Sequence, residues 1–123
     1  MAYQSFEDLE VWKKSRELKM EIACLAKSFP SNEKFRLTDQ LIRSSRSVNA
    51  QIAEGHGRKT WPDKLRFCVI ARGSLTETLN YLIYACDEGI ISEDILQKFR
   101  IKINEVERLL NGYISYLDRM SKE

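Results

Sequence analysis

The sequence predicts an all-α protein, an antiparallel up-down-up-down four-helix bundle formed by a single domain over residues 1–123. Three observations predict it. Apolar residues recur in alternating steps of three and four along four segments. Only two prolines and five glycines interrupt 123 residues, too few for many short strands and their turns. The breaks fall into three short connections, and short connections make consecutive helices antiparallel neighbours. A domain of this length buries roughly two-thirds of its unfolded surface and needs no disulfide or metal to hold it together.

The first helix is expected at about 8–28. Val11, Ser15, Leu18, Ile22, Leu25 and Phe29 form its seam, and Pro30 ends it by removing a donor and disfavouring helix at the residue before it. The second is expected at about 37–54, with Leu37, Leu41, Ser44 or Ser45, Val48 and Ile52 facing inward. Its inner stripe is small: Ser44, Ser45, Ser47, Ala50 and Ala53 would let a neighbouring backbone come near. Gly55 and Gly57 suit a left-handed cap that stops this helix.

The third helix is expected at 61–88. Thr60 is its N-cap, Pro62 is tolerated in the first turn, and Asp63 complements the dipole. Leu65, Cys68, Arg72, Leu75, Leu79, Leu82 and Cys86 make its stripe, with Gly89 beyond its end. The fourth, at 93–120, opens at Ser92 and carries Ile95, Phe99, Ile103, Val106, Leu110, Tyr113, Leu117 and Met120. Helix three has a second apolar set (Phe67, Ile70, Ala71, Ser74, Thr78, Tyr81), and helix four adds Leu96, Ile101, Leu109, Ile114 and Tyr116. Helices apolar over so much of their circumference bury a further face, so self-association is expected.

Composition excludes several function classes. No apolar run approaches the ~20 residues that span a bilayer. The opening MAYQSFEDLEVW lacks a basic segment followed by an apolar core, so no signal peptide is expected and the expected address is the cytoplasm. Cys24, Cys68 and Cys86 are odd in number and widely spaced, which speaks for three reduced core residues rather than a disulfide framework or zinc site. A di-iron bundle needs glutamates and paired Glu-x-x-His motifs, whereas His56 is the only histidine and lies two residues from Glu54. A serine or cysteine nucleophile would have only that histidine as base. GHGRKT lacks the spacing and the preceding strand of a phosphate loop. No catalytic residue, metal or cofactor is expected.

Three polar residues read as structural. Arg72 falls on the inner stripe of helix three, a costly place for a charge, and is expected to bond Asn49 or pair with Glu105. Glu54 is expected to cap backbone donors near the second turn or to line a subunit contact. Charge is also unevenly spread. Between Lys34 and Arg72 nine bases face three acids, while from Gly73 onward six bases face nine acids. Asp39 answers Arg36 and Arg43 by spacing, and Glu10 and Glu17 bracket Lys13 and Lys14. Arg58, Lys59, Lys64 and Arg66 are less neutralised, with Asp63 and Trp61 among them. A basic end carrying an aromatic suits phosphate contact and base stacking, which makes these four the leading nucleic-acid contacts, with Arg43 and Arg46 next.

FEDLEVW near the start, FPSNEKFRLTDQLIRSSRSVNAQIAEGHGR in the middle and FCVIARGSLTETLNYL in helix three stand in a characteristic order. Together they resemble the bacterial four-helix-bundle proteins encoded in intervening sequences of 23S ribosomal RNA genes, some of which carry ribosomal-protein labels. The combination of A-E-G with A-R-G-S is specific, and the resemblance spans nearly the whole chain. One departure is Gln51, where the family has Asn. The resemblance implies an antiparallel bundle that assembles as a homo-oligomer, a pentameric ring, with no known catalysis. A more distant bundle family serves reverse transcriptases of diversity-generating retroelements through a basic pentameric barrel. The expectation is therefore a non-enzymatic, homo-oligomeric protein that binds RNA or DNA; the alternative is a protein-interaction scaffold with no nucleic-acid role.

Overall fold

The computed structural model describes residues 5–123, so the first four residues of the MAYQSFEDLEVW segment lie outside it. Ser5 accepts the Glu7 N–H and opens a single 3-10 turn at Phe6–Asp8. Four helices follow: α1 (Glu10–Ala26), α2 (Asp39–His56), α3 (Trp61–Asp87) and α4 (Glu93–Ser121). The described residues contain no strand, and no helix among them is long and apolar enough to cross a membrane.

Cross-helix contacts give the topology. Ser44 meets Thr78 and Ser47 meets Ser74, so α2 and α3 run antiparallel. Arg72 reaches Asn111 and Trp61 meets Tyr116, so α3 and α4 do too. Lys14 pairs with Glu105 and Glu21 with Lys102, which sets α4 against α1. The result is the up-down-up-down bundle expected from the short connections.

The helix starts follow local chemistry. Thr60 Oγ1 accepts the Asp63 N–H at 3.2 Å, and Ser92 Oγ accepts the Ile95 N–H at 3.2 Å, so both expected caps form. Between α1 and α2 the chain makes a 3-10 turn at Ser31–Glu33. A π-helical stretch at Lys34–Thr38 then runs directly into α2, so helical backbone begins ahead of the expected residue 37. The other end of α2 also differs from expectation. Gly55 stays inside the helix and Gly57 has φ −81°, so neither is left-handed; Gly89 alone among the described residues has positive φ, at 74°. Gly55 is there for space: an added Cβ would stand 3.0 Å from Phe67 Cβ and 3.2 Å from the Lys64 carbonyl.

The core lies along the bundle axis, with Ile22, Leu41, Ile52, Leu75, Leu82, Leu110 and Leu117 fully enclosed. Each such side chain contributes about 1.5–3 kcal/mol of burial. The seam expected for α1 is buried, save that Leu25 is only partly so. In α2 Leu37, Leu41, Ser44, Ser45, Val48 and Ile52 are buried. Of the small residues expected beside them, Ser47 and Ala53 are half-buried and Ala50 faces solvent, because it lies outside the arc that α1 and α3 cover. Helix α3 is turned relative to expectation. Phe67, Cys68, Ala71, Leu75, Thr78, Leu82 and Ala85 are buried, while Leu65, Leu79 and Cys86 sit on its flank. With apolar residues on both sides of the stripe, periodicity alone could not choose the face. The cysteines are all free, but only Cys68 is in the core; Cys24 is exposed and Cys86 half-buried.

Small hydroxyl residues form a polar seam within the core. Thr78 Oγ1 donates to Ser44 Oγ at 2.9 Å, and the Ser47 and Ser74 hydroxyls meet at 2.9 Å. On the other side of α2, Asn49 Nδ2 donates to Ser15 Oγ at 3.0 Å and to the Trp12 carbonyl at 3.2 Å. The seam therefore links α1, α2 and α3 with its interior groups satisfied. Helices α1 and α4 meet differently. Lys14–Glu105 (3.2 Å) and Lys102–Glu21 (3.0 Å) bridge them over Leu18 and Val106. These pairs are well exposed and contribute little.

Candidate nucleic-acid interface

The four residues 57–60 link α2 to α3, and the Gly55 contact draws the two helix ends together. This geometry gathers Arg58, Lys59, Lys64 and Arg66 at one corner of the bundle. Three of them are engaged within the fold. Arg58 pairs with Glu54 at 2.6 Å and approaches Asp63 at 3.8 Å; Arg66 bonds Asp63 at 3.0 Å. Both guanidinium groups lie over the Phe67 ring, at 4.4 and 4.7 Å from its centroid. Asp63 is the one acid within this stretch of sequence, but the helical i, i+4 spacing of Glu54 and Arg58 supplies a second. Lys64 is half-buried: its ammonium donates to the His56 carbonyl at 2.7 Å and lies 5.9 Å from the Trp61 ring centroid.

Lys59, Arg43 and Arg46 stand apart from this network. All three are exposed and carry no ion pair among the described residues. Arg43 and Arg46 share a shallow depression with Asp39 and Ile42 on the outside of α2. Asp39 is taken by Lys34 at 3.4 Å and Arg36 by Glu33 at 2.7 Å, so the expected Asp39 pairs with Arg36 and Arg43 do not form. The expected local pairs of α1 do form, Lys13 with Glu10 and Lys14 with Glu17.

Asn49 is buried and binds α1, as described above. Arg72 bonds neither Asn49 nor Glu105. It lies on the α4-facing flank of the rotated helix α3, half-buried, and donates to Asn111 Oδ1 at 3.1 Å. Its charge thus stays near water, which removes the cost foreseen for a core position. Glu54 is exposed and caps nothing; its carboxylate is on Arg58.

His56 is the last residue of α2. Burial, followed by the nearby Lys64 charge, lowers its pKa below the usual 6.5, against an opposing pull from Asp8. No group of three or more His, Cys, Asp or Glu among the described residues is placed to hold a metal. Burial pushes the Cys68 thiol up to about 11, so it is an unreactive protonated thiol at neutral pH. A shallow pocket of about 80 Å³ between α1 and α4 is lined by Lys14, Glu17, Leu18, Glu21, Lys102, Glu105 and Val106, and its cations and acids pair with one another.

A further constellation lies at the same end of the bundle and was not expected from the sequence. Trp61, at the start of α3, meets Tyr116 edge-on, with centroids 6.1 Å apart and planes at 86°. Tyr116 in turn lies nearly parallel to Tyr113, at 6.2 Å and 13°. The signal was present in the i, i+3 spacing of the two tyrosines near the end of a helix antiparallel to the one that Trp61 opens.

Comparison with known proteins agrees with this architecture. A crystal structure of a protein of unknown function from the S23 ribosomal protein family of Bacteroides thetaiotaomicron VPI-5482 superimposes with a TM-score of 0.77 at 27% identity, covering 85% of this chain and 97% of that one. No curated protein matches. The family of 23S rRNA-intervening sequence proteins matches over residues 7–112. Four antiparallel helices and a match over most of the chain lead to one conclusion: this protein belongs to the 23S rRNA-intervening sequence protein family.

Proposed function

We propose that this protein is a cytoplasmic, non-enzymatic homo-oligomer that binds nucleic acid, RNA in the first instance, through the basic surface running from the outside of α2 to the α2–α3 corner. One observation carries the reading. Between Arg43 and Lys59 the only acid, Glu54, is held by Arg58, which leaves Arg43, Arg46 and Lys59 exposed and unanswered. Phosphates are the natural partners of such cations. RNA is the polyanion to try first, because the name of the family ties its genes to ribosomal RNA. Arg58, Lys64 and Arg66 contribute to the local field, although their own partners make them weaker direct contacts.

Self-association rests on exposed apolar side chains: Val69, Ile70 and Tyr84 on α3, and Ile101 on α4, which is 69% exposed. A ring of five copies would repeat the basic corner around an axis and add the fields. Light scattering on a sizing column tests this, with a mass near five times the 14.4 kDa chain expected. A monomer at micromolar concentration refutes it.

Fluorescence anisotropy with nuclease-treated protein and labelled single-stranded and hairpin RNAs tests the binding. Affinity is expected to fall log-linearly with salt. The triple variant Arg43→Ala, Arg46→Ala, Lys59→Ala should flatten the slope by about three phosphate contacts per subunit, more than Arg58→Ala with Arg66→Ala. No salt-dependent binding at low ionic strength would refute the nucleic-acid reading and leave the protein-interaction scaffold.

A further inference from the structure

Building on the nucleic-acid reading, we propose that the aromatic cluster where the start of α3 meets the end of α4, formed by Trp61, Tyr113 and Tyr116, is a base-stacking platform for unpaired nucleotides. These rings lie outside the apolar core, which at this end is closed by Leu110 and Leu117. Trp61 and Tyr113 are half-buried and hold the cluster in place. Tyr116 is the exposed member of the cluster, at 41%. The T-shaped Trp61–Tyr116 contact and the near-parallel Tyr113–Tyr116 pair fix its orientation.

Cations flank the rings. Lys64 stands over Trp61 and Lys59 lies two residues before it. Arg119 is exposed one turn beyond Tyr116 on the same face of α4 and carries no ion pair. The nearby acid Asp118 is taken by Lys122 at 3.1 Å. Aromatic rings beside Lys59 and Arg119, which carry no ion pair among the described residues, match the two halves of an unpaired nucleotide, base and phosphate, and every base has a π-face to offer. A duplex hides those faces, so the platform distinguishes strand state and leaves base identity unread.

The test uses the full-length protein with three probes of equal length: a single-stranded oligonucleotide, the same backbone made abasic, and the duplex. In a Trp12→Phe background Trp61 is the remaining tryptophan and reports on the site. The single strand is expected to quench it, and the abasic strand is not. Tyr116→Leu keeps apolar bulk without a ring and should weaken single-strand binding about tenfold, or about 1.4 kcal/mol. It should leave abasic and duplex binding unchanged, and Tyr116→Phe should restore the single-strand affinity. If all three probes bind equally well and with the same salt slope to wild type and Tyr116→Leu, the platform is refuted while nucleic-acid binding stands. If none binds, both fall together. If Tyr116→Leu changes the light-scattering mass and not the affinity for bases, the rings are a subunit contact and the platform is refuted.

Discussion

Gly55 and Phe67 touch across the α2–α3 corner so closely that any side chain at position 55 would place its Cβ 3.0 Å from Phe67 Cβ. The neighbour on that side is a Cβ, and the next is the Lys64 carbonyl, so neither can swing away as a flexible side-chain end would. Gly55→Ala is expected to destabilise by about 1–3 kcal/mol through overpacking. Gly57→Ala, whose Cβ would meet the Glu54 carbonyl at an ordinary 3.5 Å, should lie within about 1 kcal/mol of wild type. Urea unfolding of both checks the contrast, and equal effects would show that α3 yields at this point.

The interior amide gives a second expectation. Asn49→Leu removes both donations to α1 and leaves Ser15 Oγ and the Trp12 carbonyl without that partner. A cost of about 1–3 kcal/mol is expected. Thr78→Val preserves volume and takes one donor from Ser44, which still bonds the Leu41 carbonyl. Its cost should be smaller, about 1 kcal/mol. Chemical denaturation at neutral pH measures both.

His56 ties stability to pH. Its folded pKa is lowered, so the unfolded chain binds the proton more tightly. Stability therefore falls as pH drops below about 6.5 and continues to fall to the depressed folded value, beyond which this residue adds no further change. The groups that set the shift are Lys64, which opposes protonation, and Asp8, which favours it. His56→Gln should remove this component, so the stability difference between variant and wild type should change with pH in that window. A constant difference would show that His56 has the same pKa folded and unfolded.

Thiol chemistry should separate Cys24 from Cys68. Cys24 is exposed and should label rapidly with a disulfide reagent under native conditions. Cys68, enclosed and with its thiol pushed up to about 11, should label only as fast as the corner opens. Gly55→Ala is expected to accelerate Cys68 labelling, since Cys68 Sγ lies 3.9 Å from the added Cβ. Mass spectrometry of quenched time points reads this directly.

Helix positions were legible because Pro30, Thr60, Ser92 and the heptad-like spacing act locally, within a turn or two. The face of α3 was not. Its two apolar sets lie side by side, and only packing against α2 and α4 decides that Ala71, Thr78 and Ala85 go inward while Leu79 stays on the flank. Gly55 was misread for a related reason: a glycine at a helix end looks like a cap until the neighbouring helix is seen. The basic candidates were legible as a list. Which of them are answered depended on Glu54 and Phe67, whose distances from Arg58 and Arg66 come from the helical turn and from the close approach of α2 to α3.

The hydroxyl seam has a consequence for the order in which the chain folds. Leucine contacts tolerate a slide of one helix along another, whereas paired hydroxyls are directional and lose their partners when displaced. Ser44–Thr78 and Ser47–Ser74 therefore work as an alignment key, and the four-residue link between α2 and α3 keeps their effective concentration high. The α2–α3 hairpin is therefore expected to form first, with α1 and α4 docking afterwards, and its backbone amides should be the last to exchange with deuterium.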